Sequence, residues 1–542
     1  MRILLINCPL PPLPGHTVRH LTVNTDISIS LHKVLENNNI DLDTFHPDLF
    51  LQGELLGKRV FLQHLEDVPC PKLFWAVDSH LNMHWQRWYA QLFDGVLTPH
   101  PTLFSNLPAA WRVRNVFFCP FPGYEQPFKA HALRSTFGTF VGVVTKSRTQ
   151  RARFTRFLEE RHAIHAVRMP FAEMMQHYSD TRVLPNEAIC GEFNFRIMEG
   201  ASCGCLVVTE DIGEALSIAF TPNTEVLTYR HAQELDEILT FMKDRPKLSE
   251  KIGYAAWQRV RKDYLPSHRW EQILRLARTL TAKKRSADEC RRIERITTIQ
   301  AARADSYPQE AIDVLAAKLA ALPPHPDCTT MLLRLAVEKR SRTDVLAHLQ
   351  RLFSQQSQAL SFDSLICCIG AAFFIRDYAL LQRCITLLKP RSTLPPNPSP
   401  FAMLLAVADL LCTQKRLWQP GFTIDIDHHC PETAMEFYLL AFQEAQTDAE
   451  KRLWYTKTAA FTDAIPYPDF ALATKASASL YDQNNWRASF DYAKASLCAF
   501  RMKEGLEELA LAKSLAYAQG EGLVFEQLLK EKALRLPSSV RI

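Results

Sequence analysis

The stretch Gly191-Glu-Phe-Asn-Phe-Arg-Ile-Met-Glu-Gly-Ala-Ser-Cys-Gly-Cys-Leu-Val-Val-Thr209 concentrates the side chains best suited to chemistry. It offers a carboxylate at Glu192, a helix-start residue at Asn194, a guanidinium at Arg196, a second carboxylate at Glu199 and a stop at Gly204. Arginine and glutamate three residues apart share one side of a helix. The unpaired N–H groups of a helix N-terminus favour a phosphate placed there, and a guanidinium adds a planar fork of donors suited to a diphosphate. A carboxylate one turn further on can accept both hydroxyls of a ribose. The combination points to a nucleotide-diphosphate site. A plain surface ion pair between Arg196 and Glu199 is the competing explanation, and the coincidence of cap, cation, acid and glycine stop argues against it.

The elements around this segment are those of an α/β protein. Asn194 to Gly204 reads as a short helix, with asparagine as N-cap and glycine just past the end. Cys205–Thr209 and Glu225–Tyr229 read as strands, Ala232–Lys243 and Lys247–Lys262 as amphipathic helices, and Leu265–Leu280 closes the unit. Ahead of the segment, Thr139–Val144 reads as a strand, Thr145–Thr149 as a polar turn and Gln150–Arg161 as a basic helix. Residues 1–133 alternate apolar runs with helical stretches, and Arg2–Cys8, Lys72–Val77 and Gly95–Thr98 are the strand candidates. That rhythm predicts a parallel βαβ sheet, whose ligands sit outside the carboxyl ends of its strands. Asp78 and His80, just past the end of Lys72–Val77, fall there, although an N-cap and a solvated histidine would explain them as well.

The segment resembles the donor-site signature of group 1 glycosyltransferases of the GT-B fold, in which an acid–x₇–acid loop runs into E-A-x-A-C-G-x-P-V-V. Its spacing is closest to the spore-maturation-protein subgroup, roughly N-x-R-x-F-E-x-x-A-C-G-x-x-x-L-T, held here by Asn194, Arg196, Glu199, Cys203, Gly204 and Thr209. Phe220–Tyr229, Tyr264–Trp270, Phe74–His80 and Phe93–Val96 resemble further parts of the family, so the likeness spans about residues 1–280. The resemblance implies that Glu199 holds the ribose and that Arg196, with the helix start at Asn194, faces the diphosphate. It also implies that Gly142 to Arg148, including Thr145, approaches the phosphates, with Lys146 or Arg148 supplying charge. The first acid would fall at Gly191, whereas the carboxylate stands one residue late at Glu192. Asp78 and His80 are the candidates for contacting the sugar or deprotonating the acceptor hydroxyl. The nucleotide sugar is a co-substrate, with no other cofactor and no metal, and closure of two domains over it would exclude water.

The implied fold class is α/β plus all-α: an N-terminal Rossmann-like domain over 1–133, a nucleotide-sugar-binding one over 134–282 and a tetratricopeptide-like solenoid over 293–542. The helical assignment rests on glycine, of which 12 of the 17 precede residue 286, and on helix pairs such as Ala471–Asp482 with Trp486–Phe500. Small and large residues alternate there (Ala476, Ala478, Leu480, Tyr481), as stacked antiparallel helices require. The repeats would recruit the acceptor, a protein or a surface glycan, and Lys283–Arg292 reads as a charged connector. Fourteen scattered cysteines without a C-x-x-C exclude a zinc ribbon and suit a reducing compartment, so the expected location is the cytoplasm. No apolar stretch is long enough to span a membrane.

A net charge of +5 is too mild to argue a nucleic-acid partner. The basic residues Arg148, Arg151, Arg153, Arg156 and Arg161 read as a solvated helix face with one or two phosphate contacts. His80 and His84 share a helix face, yet Leu81 breaks the H-E-x-x-H pattern, and Asp425-Ile-Asp-His-His-Cys430 reads as capping rather than ligation. The rival functional readings are a non-catalytic scaffold with vestigial nucleotide-binding domains and a nucleotide-sugar epimerase or hydrolase on the same fold.

Overall fold

A computed structural model describes residues 1–8, 10–24, 27–107, 115–145, 148–305, 307–354, 360–389, 397–422 and 424–536. The chain forms two compact units, each assembled from two stretches of sequence: Met1–Cys119 with Gln272–Trp454, and Pro120–Glu271 with Tyr455–Ile542.

In the first unit the strands are β1 (Arg2–Ile6), β2 (Thr17–Leu21), β3 (Ile27–Ser30), β4 (Leu49–Gly53), β5 (Val60–Gln63), β6 (Lys72–Trp75), β7 (Gly95–Thr98) and β8 (Val116–Phe118). Six of them make an all-parallel sheet in the order β2-β1-β4-β6-β7-β8, and β3 pairs with β5 in a separate parallel ribbon. Ile3 to Ile6 have no solvent exposure, as expected for a run covered on both faces. Trp85 and Tyr89, one turn apart on the helix Ser79–Tyr89, pack their rings on Phe61 and Phe74. The helix Ala287–Ala304 adds Ile293, Ile296 and Ile299 to the same core. Its Glu294 accepts hydrogen bonds from Ser28 and Gln63.

In the second unit the strands are β9 (Thr136–Gly138), β10 (Phe140–Val141), β11 (Ala166–Val167), β12 (Thr181–Asn186), β13 (Leu206–Glu210) and β14 (Leu227–Tyr229). The parallel sheet β14-β13-β12-β9 is accompanied by the parallel pair β10-β11. Of the strand expected over Thr139–Val144 only Phe140–Val141 forms, as β10, while β9 ends at Gly138, ahead of that stretch. Phe154, Phe157 and Tyr229 beneath this sheet are met by Phe500 from the far end of the chain, at ring separations of 5.1, 5.6 and 6.2 Å.

The expected fold class holds: two Rossmann-like α/β regions and a helical C-terminal region with no strand among its described residues. Lys283–Arg292 is no free connector, because its second half is already helix. Lys283 donates its backbone N–H to Asp94, Arg285 pairs with Asp94 and Phe93 O, and Ser286 caps the helix at the Glu289 N–H. Consecutive C-terminal helices pack pairwise, with Trp486, Phe490, Leu497, Leu509 and Phe525 as their core. Leu480, by contrast, is 72% exposed and takes no part in the expected alternating packing.

Candidate functional site

The second unit brings the segment's side chains to the carboxyl ends of its strands. Asn186 closes β12, Glu210 closes β13, Val141 closes β10, and the helix Phe195–Ser202 starts beside them. Asn194 occupies the N-cap position in extended conformation, but its side chain does not cap the helix. The Nδ2 group instead donates to Asn186 Oδ1 at 2.9 Å, to Glu187 O at 3.2 Å and to Glu192 Oε1 at 3.3 Å. The first N–H groups of the helix, on Phe195 and Arg196, have no partner among the described residues.

Arg196 is buried and anchored. Nε and Nη2 donate to Val141 O at 3.2 and 2.9 Å, Nη1 donates to Asn186 Oδ1 at 2.6 Å, and the guanidinium lies 4.2 Å from the Phe140 ring centroid. These bonds engage one N–H of each terminal nitrogen, and the buried Tyr178 hydroxyl also interacts with the guanidinium. Gly142 is required next to it, because a Cβ there would stand 2.9 Å from Arg196 Nη2. Glu199, one turn on, accepts no hydrogen bond from any described residue. Burial pushes its carboxyl up to about 7, against the opposing pull of Arg196.

Glu192 is half-buried and reached by Asn194. The shift of the first acid has a backbone reason: Gly191 has φ +74°, a left-handed conformation that would strain a glutamate. Two carboxylates that sequence reasoning missed lie close by. Glu187 is paired with buried Arg151 at 2.8 Å, and Glu210 accepts from the Ala188 N–H at 3.0 Å. Burial, then Glu187, raises Glu210 to about 8. Asn186 was missed too, although its Oδ1 joins Asn194 to Arg196 and its Nδ2 donates to Thr209. The signal was present: polar Asn-Glu directly follows the apolar Val183–Pro185.

On the loop expected to approach the phosphates, Thr145 and Arg148 are exposed, and Arg148 precedes the helix Thr149–His162. Lys146 lies outside the described residues. The helix that follows is not the solvated basic face expected of it. Arg151 is buried on Glu187, Arg153 binds Ala499 O and Asp469, and Arg161 pairs with Asp236, leaving Arg156 exposed. The reason is tertiary: Arg151 and Arg161 meet carboxylates of the α/β region, and Arg153 meets acceptors from the helices after residue 455.

In the first unit Asp78 sits at the start of the helix Ser79–Tyr89 without capping it, and His80 is buried in its first turn, 5.6 Å from the His100 ring. Their turn is organised by Glu54, another residue that sequence reasoning missed. Its carboxylate accepts from the Val77 and Asp78 N–H groups at 2.6 and 2.9 Å and from the side chains of Asn82 and Gln86. Burial, with Asp78 adding to it, holds this carboxyl at about 7. The only sequence signal was a carboxylate directly after the apolar run Leu49–Gly53. His84 is engaged elsewhere, its Nε2 accepting from Arg59, and burial among arginines holds the ring neutral. Asp425 accepts from the Asp427 and His428 N–H groups and so closes a turn, while the helix expected to be capped there has Thr433 as its N-cap. Cys203 and Cys205 are fully buried.

No curated protein matches the chain in sequence. Among solved structures, Anabaena HepE in complex with UDP-glucose is 12% identical, with 51% of this chain and 99% of that chain covered at a TM-score of 0.35. Sucrose-phosphate synthase from Thermosynechococcus elongatus is 12% identical over 51% of this chain and 98% of that one, with a TM-score of 0.34. A glycosyltransferase from Rickettsia africae is 13% identical over 51% and 97%, with a TM-score of 0.30. The family model described as "Glycosyl transferase-like" matches residues 139–275, the stretch that holds Gly142, Asn194, Arg196 and Glu199. That match makes residues 139–275 a glycosyltransferase domain, and the chain that carries it an enzyme of that class.

Proposed function

We propose that the chain transfers a sugar from a nucleotide-diphosphate sugar to an acceptor hydroxyl without a metal, within the spore-maturation-protein subgroup of GT-B enzymes. One observation carries the reading: inside the family match, a helix start whose first two N–H groups have no partner among the described residues, and a buried carboxyl that likewise has no hydrogen-bond partner among them, flank an anchored guanidinium within a single turn. The helix start and Arg196 bind the diphosphate, with Gly142 giving the phosphates access to the backbone and Thr145, Lys146 or Arg148 supplying further polar or charged contacts. Glu199 accepts the ribose hydroxyls, and Glu192 lies next to the sugar.

In the reaction the bond between the sugar's anomeric carbon and the β-phosphate oxygen breaks, and a bond to the acceptor oxygen forms. The negative charge left on the nucleoside diphosphate is stabilised by N–H groups and Arg196, which are already in place. The acceptor proton passes to Asp78 or His80, whose turn Glu54 holds. The tetratricopeptide-like C-terminal helices recruit the acceptor, a protein or a surface glycan.

A thermal-shift screen over UDP-, GDP-, ADP- and dTDP-sugars tests the reading without knowledge of the acceptor. A donor at a hundred times its Kd stabilises the fold by about 2.7 kcal/mol, a readily measured rise in Tm. If no member of the panel raises Tm, donor binding is refuted. The non-catalytic scaffold draws on the displaced first acid at Gly191 and predicts that flat outcome. An epimerase or hydrolase predicts donor consumption with no acceptor present.

A further inference from the structure

We propose that His32, His64 and Asp67 form a binding site for a divalent transition-metal ion, in the first unit and apart from the transfer residues. The parallel pairing of β3 with β5 sets Ser30 opposite Gln63, so the two chains leave the ribbon side by side. His32 follows two residues after Ser30, on the helix Leu31–Glu36, and His64 directly follows Gln63. The two imidazole centroids are 5.0 Å apart, and Asp67 Oδ2 lies 2.9 Å from His32 Nε2. One nitrogen from each ring and one oxygen of Asp67 all fall within 4.8 Å of one another.

An ordinary ion pair accounts for His32 and Asp67 but not for the second imidazole. His64 stands at φ +64°, a left-handed conformation rare for a residue with a Cβ, and in it the ring is brought up to His32. Its nearest carboxylate, Glu66, is 4.0 Å away, at the limit of an ion pair. Two imidazoles and one carboxylate are the donor set of zinc and its neighbours rather than of magnesium or calcium, which prefer oxygen alone. Bonds of about 2.0–2.2 Å require small adjustments, since His32 Nε2 and Asp67 Oδ2 are already 2.9 Å apart and the third ligand atom has to come within a similar distance. The three side chains can do this by rotation, being 41 to 55% exposed. The metal takes the place of the proton between His32 Nε2 and Asp67, and that proton moves to the other ring nitrogen or to solvent.

His32 and Asp67 also line a hollow of about 560 Å³ shared with Glu36, Asn39, Asp41 and Asp43. Three protein ligands beside an open hollow are the arrangement of a site that keeps a coordination position for water or another small ligand.

The test uses the full chain, freed of metal by a chelator and dialysed. Titration with Zn²⁺ by calorimetry and with Co²⁺ by visible absorption is expected to give one ion per chain, with Co²⁺ bands of a low-coordinate nitrogen–oxygen site. His64→Ala and Asp67→Ala are each expected to weaken that binding at least tenfold, while His428→Ala, altered in a different exposed histidine cluster, leaves it unchanged. Circular dichroism confirms that the variants fold. The proposal is overturned if the wild type binds no Co²⁺ stoichiometrically, or if both variants bind it as the wild type does.

Discussion

At the scale of single residues, Arg196 and Glu199 differ in what holds them, and their variants should fail differently. Arg196 joins Val141 O to Asn186, so it is part of the fold as well as a donor to a phosphate. Arg196→Lys keeps the charge but loses the fork. Donor affinity should fall at least tenfold and the second unit should lose about 1–3 kcal/mol, read by calorimetry and urea denaturation. Glu199 has no such bonds, and its carboxyl is raised to about 7. Between the ordinary carboxylate range and about pH 7 the folded chain holds a proton there that the unfolded chain has lost. Glu199 therefore makes stability fall as pH rises through that window, and Glu199→Gln should remove its share of the slope. The ionised carboxylate is the better acceptor for two hydroxyls, so wild-type donor affinity should strengthen from pH 6 to pH 8 and the glutamine variant should not follow. If both proteins show the same pH profile, Glu199 does not touch the ligand. These two residues were legible in the sequence because type, spacing and helix start coincide within a few positions. Asn186 and Glu54 were not, since each acts across the sheet on residues 8 to 32 positions away, and no local pattern records such partners.

At the scale of elements, the helix Phe195–Ser202 and its neighbouring strands followed from apolar runs and glycine stops, and Gly204 takes the left-handed conformation such a stop requires (φ +69°). The bounds of β9 and β10 were hidden, because Thr136–Val144 carries no turn residue besides its glycines to mark the break after Gly138, and the two strands choose different partners. Arginines on the helix Thr149–His162 looked solvated for a related reason: their acceptors are distant in sequence, Glu187 and Asp236 for Arg151 and Arg161, and Asp469 and Ala499, over 300 residues away, for Arg153. Phe500 packs on the second sheet across the same gap. Phe500→Ala should destabilise the second unit by about 3–5 kcal/mol, measured by denaturant unfolding. A loss below about 1 kcal/mol would mean that the C-terminal helices only rest on that sheet.

At the scale of the whole molecule, each unit takes its core from both α/β and helical sequence, so the helical region is not a detachable module. Removing residues 455–542 should leave the second unit unable to fold, seen as aggregation or loss of cooperative unfolding, whereas a truncated chain with a normal transition would contradict that division of the core. Acceptor recruitment is better tested at the surface. Leu480 and Leu523, 72% and 88% exposed, can be changed to Asp with little effect on Tm. If the C-terminal helices bind the acceptor through that apolar surface, label transfer to a macromolecular acceptor should fall while donor binding stays constant. The central claim is narrower than any of these: a nucleotide-diphosphate sugar is held where the Asn194 segment turns into helix. Its most direct test is calorimetry of the most stabilising nucleotide sugar with wild type and Glu199→Ala. The account predicts saturable one-to-one binding by the wild type and at least tenfold weaker binding by the variant, with both proteins unfolding cooperatively. Equal affinity in the two, or no heat in either, would contradict it.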